Sequence, residues 1–179
     1  MNAAMTAVLA SGIIDAEARR STSPEKALTA ASRLLFSKTE KQVFVSACLA
    51  LIDGRQRSIV FTNAGLSEPL LKRGGDVSPM SGSGPRQPLG LIPDTAYRNT
   101  RLSLRKSDIL VFLTDGVAEA KNRSREFYGD ERLRNLLRNL DTSTMPAVAI
   151  RDRILDDVKQ FSGRAPQHDD MTVVVVRIH

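Results

Sequence analysis

Hydrophobic positions along this chain follow two different periods. The opening stretch is helical in pattern. An alanine-rich segment runs from Asn2 to about Arg20, and Ala27, Leu28, Ala31, Leu34 and Leu35 recur at spacings of three and four, carrying a second helix to about Ser37. Ser23 is placed to cap that second helix, and Pro24 to fill its first position, where a missing N–H costs nothing. From Val43 the period shortens to two. VFVSACLALID and SIVFTNAG flank the turn DGRQR and predict a β-hairpin. EPLLKRGG predicts a short third strand closed by Gly74-Gly75, and the Ser-, Gly- and Pro-rich segment from Asp76 to Asp94 predicts a surface loop.

Beyond that loop, TAYRNTRLSLRKS alternates as an antiparallel strand with one wet face would. DILVFLTDG does not alternate; its unbroken apolar run from Ile109 to Leu113 predicts a central strand. Helices are predicted from about Asp130 to Leu140 and from about Thr144 to Phe161, and a deeply buried last strand from Met171 to Ile178. Two helices, several strands, two helices and a final strand make an α+β layered fold rather than a repeating βαβ sheet. With no internal repeat and no low-complexity linker, residues 1–179 read as one domain, large enough for a core without staples.

Composition changes this picture little. Apolar residues make up 41% and charged residues 26%, ordinary for a soluble protein. The single cysteine, Cys48, lies in an apolar run, so it cannot build a disulfide framework and is expected to pack rather than react; a reducing cytoplasm is the expected location. No apolar stretch approaches the roughly 18 residues of a membrane helix. MNAAMTAVLASGIIDAEARR lacks a leading basic region and is interrupted at Ser11-Gly12 and Asp15, so it reads as an amphipathic or buried helix rather than a signal peptide. The net charge of +6 would suit an acidic partner, but Arg101, Arg105, Lys106, Arg132, Arg134 and Arg138 are scattered. With 4% aromatics and no tryptophan there is no base-stacking platform, and nucleic acid is not an expected partner.

The candidate chemistry sits at two strand ends. Asp115 closes the apolar run ILVFL after Thr114, with Gly116 permitting a tight turn, and His168-Asp169-Asp170 precedes MTVVVV directly. If those strands are antiparallel neighbours, Asp115 and Asp169 converge at one rim. Clustered carboxylates repel and resist desolvation unless something positive lies between them. A hard cation such as Mg²⁺ or Mn²⁺ takes oxygen ligands, acidifies a bound water and clamps phosphoryl oxygens. The same spacing also describes a solvated Asp-Gly turn beside a loop or cap. His168 suits a loop or substrate-facing role better than an oxygen-preferring metal.

Four stretches carry a resemblance. FTNAGLSEPLL resembles a hairpin of the form "NAGH-x-PP-LL", and QPLGL a "PLG" loop. DILVFLTDGVAEAKNRSREFYGDERL resembles "D-x-L-x-x-YTDGVTEA-x-N-x-x-G-E-x-FG-x-x-RL", and HDDMTVVVV resembles a closing "DDMT" strand. These are patterns of the metal-dependent Ser/Thr phosphatases (the protein phosphatase 2C superfamily, PPM), in the bacterial branch named for stage II sporulation protein E. The resemblance implies an antiparallel β-sandwich flanked by helices, with a two-metal Mn²⁺ or Mg²⁺ site whose activated water hydrolyses phosphoserine or phosphothreonine. It implies phosphorylated regulatory proteins as substrates, notably anti-sigma factor antagonists of partner-switching pathways. By the same resemblance Asp115 and Asp169 are metal ligands, Gly116 belongs to the "DG" motif, and Asp170 fixes the loop or an outer water.

Two departures qualify that expectation. Leu66 stands where the family often has histidine. The family's first acidic motif, of the form "GD-V-S-G-K-G-M", is absent; MNAAMTAVLASG resembles the helix that follows it, "M-x-AAMTAV". In the family that aspartate bridges both metals. Asp15 and Glu17 lie too far down the first helix to replace it. The sequence therefore predicts a domain without its first strand or strands, with weak metal affinity and weak or no activity, and with dimerisation, edge pairing or local disorder at its N-terminus. The alternative is a non-catalytic module that keeps the phosphatase fold and its partner surface. Arg86, near PLG, is a candidate for approaching a phosphate.

Overall fold

The elements follow one another as α1 (Ala3–Arg20), α2 (Pro24–Lys38), β1 (Ala47–Asp53), β2 (Ser58–Ala64), β3 (Leu70–Arg73), β4 (Asp76–Pro79), β5 (Thr100–Ser103), β6 (Ile109–Leu113), α3 (Asp115–Ala118), α4 (Asp130–Asn139), α5 (Ala147–Ser162) and β7 (Val173–Arg177). The computed structural model describes residues 3–39 and 43–179. Met1 and Asn2, where the expected N-terminal disorder begins, lie outside them. The chain divides into two compact units, Met1–Leu66 with Ser81–Ser103 and Ser67–Met80 with Leu104–His179.

The first unit builds an antiparallel sheet in the order β1-β2-β5. The predicted hairpin is present, with Asp53 opposite Ser58, and Asp53 Oδ1 closes the turn by accepting the N–H groups of Arg55 and Gln56. Leu28 and Leu35 of α2 are buried with Ala10, Ala64, Leu89 and Tyr97. Ser23 stands at the N-cap and Pro24 at the first helical position as the sequence predicts, but the Ser23 side chain makes no capping hydrogen bond. The cap comes from Asn99, whose Oδ1 accepts the Glu25 N–H at 3.0 Å while its own N–H donates to Glu25 Oε2 at 3.0 Å. Asn99 Nδ2 takes the Ser23 hydroxyl as acceptor, so the expected capping oxygen is already engaged. Two further bonds, from Thr62 Oγ1 to Asn99 and from the Gly90 N–H to the buried Ser32 hydroxyl, tie α2 to its unit.

The second unit carries an antiparallel sheet in the order β4-β3-β6-β7. β6 is internal and nearly all buried, as its unbroken apolar run requires. Two expectations fail here. Asp76–Pro79 is not loop but the edge strand β4, reached from β3 through the two-residue turn Gly74-Gly75, with Gly74 at φ +59°. Only Val77 of β4 is buried, too little pattern to be read as a strand, and Pro79 is tolerated because an edge strand can spare an N–H. β7 is not deeply buried but the opposite edge, with Val174 50% exposed. A run of valines marks a strand without saying how many neighbours it has.

Leu133 and Leu137 of α4 and Ile150, Ile154 and Val158 of α5 share one core with Ile109, Val111 and Leu113. A polar staple joins the two helices: Tyr128 Oη and Arg132 Nε both donate to Asp157 Oδ2, at 2.7 and 3.0 Å. The Arg132 guanidinium holds the Asp157 carboxyl below the usual carboxylate range, burial opposing it and the Tyr128 hydroxyl helping. A depressed carboxyl pKa adds stability above its unfolded value of about 4 and loses it as pH falls through the folded value. Asp157→Asn is therefore expected to lower the urea midpoint at pH 7 and to flatten its decline below about pH 4; parallel midpoint-against-pH curves for the two proteins would refute this.

The turn before β6 is held by an ion pair whose carboxylate is buried and whose guanidinium is partly exposed. Asp108, 1% exposed, accepts Arg73 Nε at 2.9 Å, Arg73 Nη2 at 2.6 Å and the Arg105 N–H at 2.7 Å. Its backbone carbonyl also receives the Ile178 N–H at 2.9 Å, so one residue joins β3, the turn and the end of β7.

Candidate functional site

Where β6 and β7 end, the pairing continues beyond the sheet. Leu113 stands opposite Val173, and the Thr114 N–H donates to the Thr172 carbonyl at 3.1 Å. The Thr172 N–H returns to Thr114 Oγ1 at 3.0 Å, and that hydroxyl donates to the Asp170 carbonyl at 3.3 Å. Asp115 then opens α3. The two strands are thus antiparallel neighbours, and the segments bearing Asp115 and Asp169 meet at one rim of the sheet.

Gly116 lies in the expected turn, closed by the Val117 N–H on the Thr114 carbonyl at 3.2 Å, and it also makes the contact possible. Its φ lies outside the left-handed region; what matters is its missing side chain. A Cβ on Gly116 would lie 2.4 Å from the Asp170 carbonyl oxygen and 3.5 Å from Asp169 Cβ. The helical turn that begins at Asp115 is pressed directly on the Asp169-Asp170 backbone.

Asp115 and Asp169 are both exposed. Asp115 Oδ1 accepts the Gly116 N–H at 3.0 Å, and Asp169 Oδ1 accepts the Asp170 N–H at 2.7 Å. Among the described residues, no lysine or arginine pairs with either carboxylate, and the second oxygen of each accepts no protein hydrogen bond. The bonds made by Asp170 run through its backbone groups, which hold the loop. His168 is exposed beside them. Together with Gly116, Glu119, Lys121 and Asp169 it lines a small cavity of about 60 Å³, room for a few waters. Glu119 was not singled out from sequence; the signal was its place four residues after Asp115, one turn along the chain. The donor set is carboxylate oxygen, the chemistry that hard divalent ions take. It supplies part of such a site, since no group of three or more His, Cys, Asp or Glu able to hold a metal occurs among the described residues.

The profile of the stage II sporulation protein E (SpoIIE) family matches residues 1–179. The chain belongs to the SpoIIE family. Among curated relatives it is 27% identical over 153 residues to stage II sporulation protein E of Bacillus subtilis, covering 85% of this chain and 18% of that protein. It is 28% identical over 140 residues to protein IcfG of Synechocystis sp., covering 75% and 20%. The chain therefore spans about a fifth of the length of these relatives. Among solved structures, the SiaA-PP2C domain of Pseudomonas aeruginosa is similar with a TM-score of 0.85 at 23% identity, over 98% of this chain and 70% of that one. The PP2C phosphatase domain of Bacillus subtilis SpoIIE, solved with a fragment of its regulatory domain, gives 0.81 at 22% identity, over 97% and 50%. These likenesses bear out the α+β fold of helices with antiparallel sheets.

The other SpoIIE-like motifs serve the first unit. Asn63 folds back on Leu66, donating from Nδ2 to its carbonyl at 2.9 Å and accepting its N–H at 2.8 Å. Gly65, at φ +84°, packs on Pro88 of the PLG loop, whose Cγ lies 2.8 Å from where a Cβ would stand. These bonds use only the backbone of Leu66, so a leucine in place of the SpoIIE histidine leaves the turn intact. Arg86 Nη2 donates to the Leu66 carbonyl at 3.2 Å, a structural use of the guanidinium that was a candidate for a phosphate. Asp15 pairs with Arg19 on the surface of α1. Burial pushes the Cys48 thiol up to about 11, with Arg86 opposing, which keeps it protonated and unreactive. No helix among the described residues is long and apolar enough to cross a membrane.

Arg125 stands at φ +63°, left-handed backbone that glycine adopts freely and an arginine adopts at a cost of roughly 1–2 kcal/mol.

Proposed function

We propose that residues 1–179 form the phosphatase domain of a metal-dependent phosphoserine/phosphothreonine protein phosphatase in a bacterial partner-switching or stress-signalling pathway. Its substrate would be a phosphorylated regulatory protein such as an anti-sigma factor antagonist, in the cytoplasm. The observation that carries this reading is the contact of Gly116 with the Asp169-Asp170 backbone, which brings two unpaired carboxylates to one rim. Asp115 and Asp169 would hold Mn²⁺ or Mg²⁺, and a bound ion of that kind supplies an acidified water and neutralises phosphoryl oxygens. Thr114 and the Asp170 backbone keep the two loops in register, while Lys121 and His168 stand at the cavity where a phosphate would be oriented. Mn²⁺-presoaked SpoIIE phosphatase domain and magnesium-bound RsbX are consistent with that choice of ion. A second copy of the chain could pair through a free sheet edge.

A second reading, a non-catalytic module with the phosphatase fold, is favoured by the finding that no three His, Cys, Asp or Glu side chains are grouped so as to hold a metal among the described residues. Calorimetric Mn²⁺ titration with a phosphoserine-peptide turnover assay separates the two. Mn²⁺ binding that drops at least about tenfold in Asp115→Asn, with turnover, is expected of the enzyme. Binding without turnover assigns the module, and binding unaffected by the substitution removes the metal role of Asp115.

A further inference from the structure

We infer that the turn Lys121–Phe127 is a docking element that selects phosphorylated segments with acidic flanks; this rests on the phosphatase reading above. The turn closes where Lys121 and Phe127 bridge, with Lys121 Nζ 4.9 Å from the Phe127 ring centroid and the ring itself 57% exposed. Asn122 fixes its interior. The Asn122 N–H donates to the Glu126 carbonyl at 3.1 Å, and its carbonyl accepts the Arg125 N–H at 3.0 Å. Its side chain accepts the Glu126 N–H at 3.0 Å and donates to Glu126 Oε2 at 2.6 Å. The one carboxylate of the turn is thereby held by an amide rather than by an arginine.

Lys121, Arg123 and Arg125 face that single acid in sequence, and none of the three makes an ion pair among the described residues. Arg123 and Arg125 are exposed, and Arg125 occupies left-handed backbone where a glycine would be unstrained. A rigid turn that presents cations in advance loses little freedom on binding, so their attraction is retained as affinity. Location gives the attraction a purpose. Lys121 lines the same cavity as Gly116, His168 and Asp169, so the positive stretch begins where the acid rim ends. Exposed charges act over a Debye length of about 8–10 Å, and an extended chain advances about 3.3 Å per residue. The turn would therefore sense acidic residues within about three positions of a phosphorylated residue seated at the rim. An exposed phenylalanine adds apolar contact beside them. A single exposed ring is poor material for stacking bases, which favours an acidic polypeptide over nucleic acid.

The test is fluorescence anisotropy on the full chain, in EDTA, with two labelled phosphoserine peptides flanked by aspartate and glutamate or by serine and glycine. The acidic peptide is expected to bind about tenfold more tightly at low salt, the advantage shrinking as salt rises. Arg123→Glu with Arg125→Glu should abolish the preference. Arg125→Gly separates strain from recognition: it should raise the melting temperature while reducing the preference about threefold. Equal binding of the two peptides would overturn the proposal, as would a preference that survives the double reversal or a random DNA duplex that displaces the acidic peptide at lower concentration. Because no metal is present, the result is independent of the Mn²⁺ titration. A chain that fails there and passes here loses the catalytic reading while keeping this surface.

Discussion

Gly116→Ala is expected to disrupt the acid rim without altering either carboxylate. The new methyl would lie 2.4 Å from the Asp170 carbonyl oxygen, and the obstacle is backbone held by Thr114, not a side chain that can swing away. Either α3 or the 169–170 loop must move. Overpacking of this kind costs about 1–3 kcal/mol. The shift should also weaken Mn²⁺ binding about 10–100-fold, the effect of losing a residue that orients ligands. Gly12→Ala is the control: nothing lies within 4 Å of its Cβ position on α1, and relieving a helical glycine should add about 1 kcal/mol. Urea denaturation and calorimetry on the three proteins test both halves. A Gly116→Ala chain with native stability and native Mn²⁺ affinity would refute the close packing.

Asp108→Ala is expected to destabilise the second unit measurably. It removes the carboxylate that accepts Arg73 Nε, Arg73 Nη2 and the Arg105 N–H, at a site where Asp108 is 1% exposed. Arg73 keeps access to water, with 34% of its side chain exposed, so the loss costs about 1–3 kcal/mol. For a chain of this size that lowers the melting temperature by on the order of 5 °C. Removing the charge while keeping an acceptor, as in Asp108→Asn, should cost less. A melting temperature for Asp108→Ala within a degree or two of the parent would show that the pair contributes nothing.

These two residues mark how far a sequence can be read. Asp115 and Asp169 were legible because each abuts an apolar strand, and strand ends are local patterns. The placement of β6 followed equally from its unbroken apolar run. Gly116 is legible as a turn residue, but its tighter constraint comes from Asp170, far along the chain. Asp108 drew no attention, because its partner Arg73 is 35 residues away. The start of α2 is legible at Ser23 and Pro24, but its capping partner is not: Asn99 is 74 residues from Glu25. Edge and centre are likewise long-range properties, so local pattern shows neither that β4 is a strand nor that the valines of β7 lie at an edge.

The division of the chain has a practical result for anyone who wishes to split it. Ser67–Met80 belongs with Leu104–His179, while Ser81–Ser103 belongs with Met1–Leu66. No single break point yields two self-sufficient halves. A nick between Ser103 and Leu104 strands the β3–β4 hairpin on the wrong fragment, and a nick after Leu66 takes β5 away from its sheet. Two co-expressed fragments would have to trade strands to become whole, so the protein is a candidate for reporting proximity by fragment complementation and a poor one for dissection by deletion.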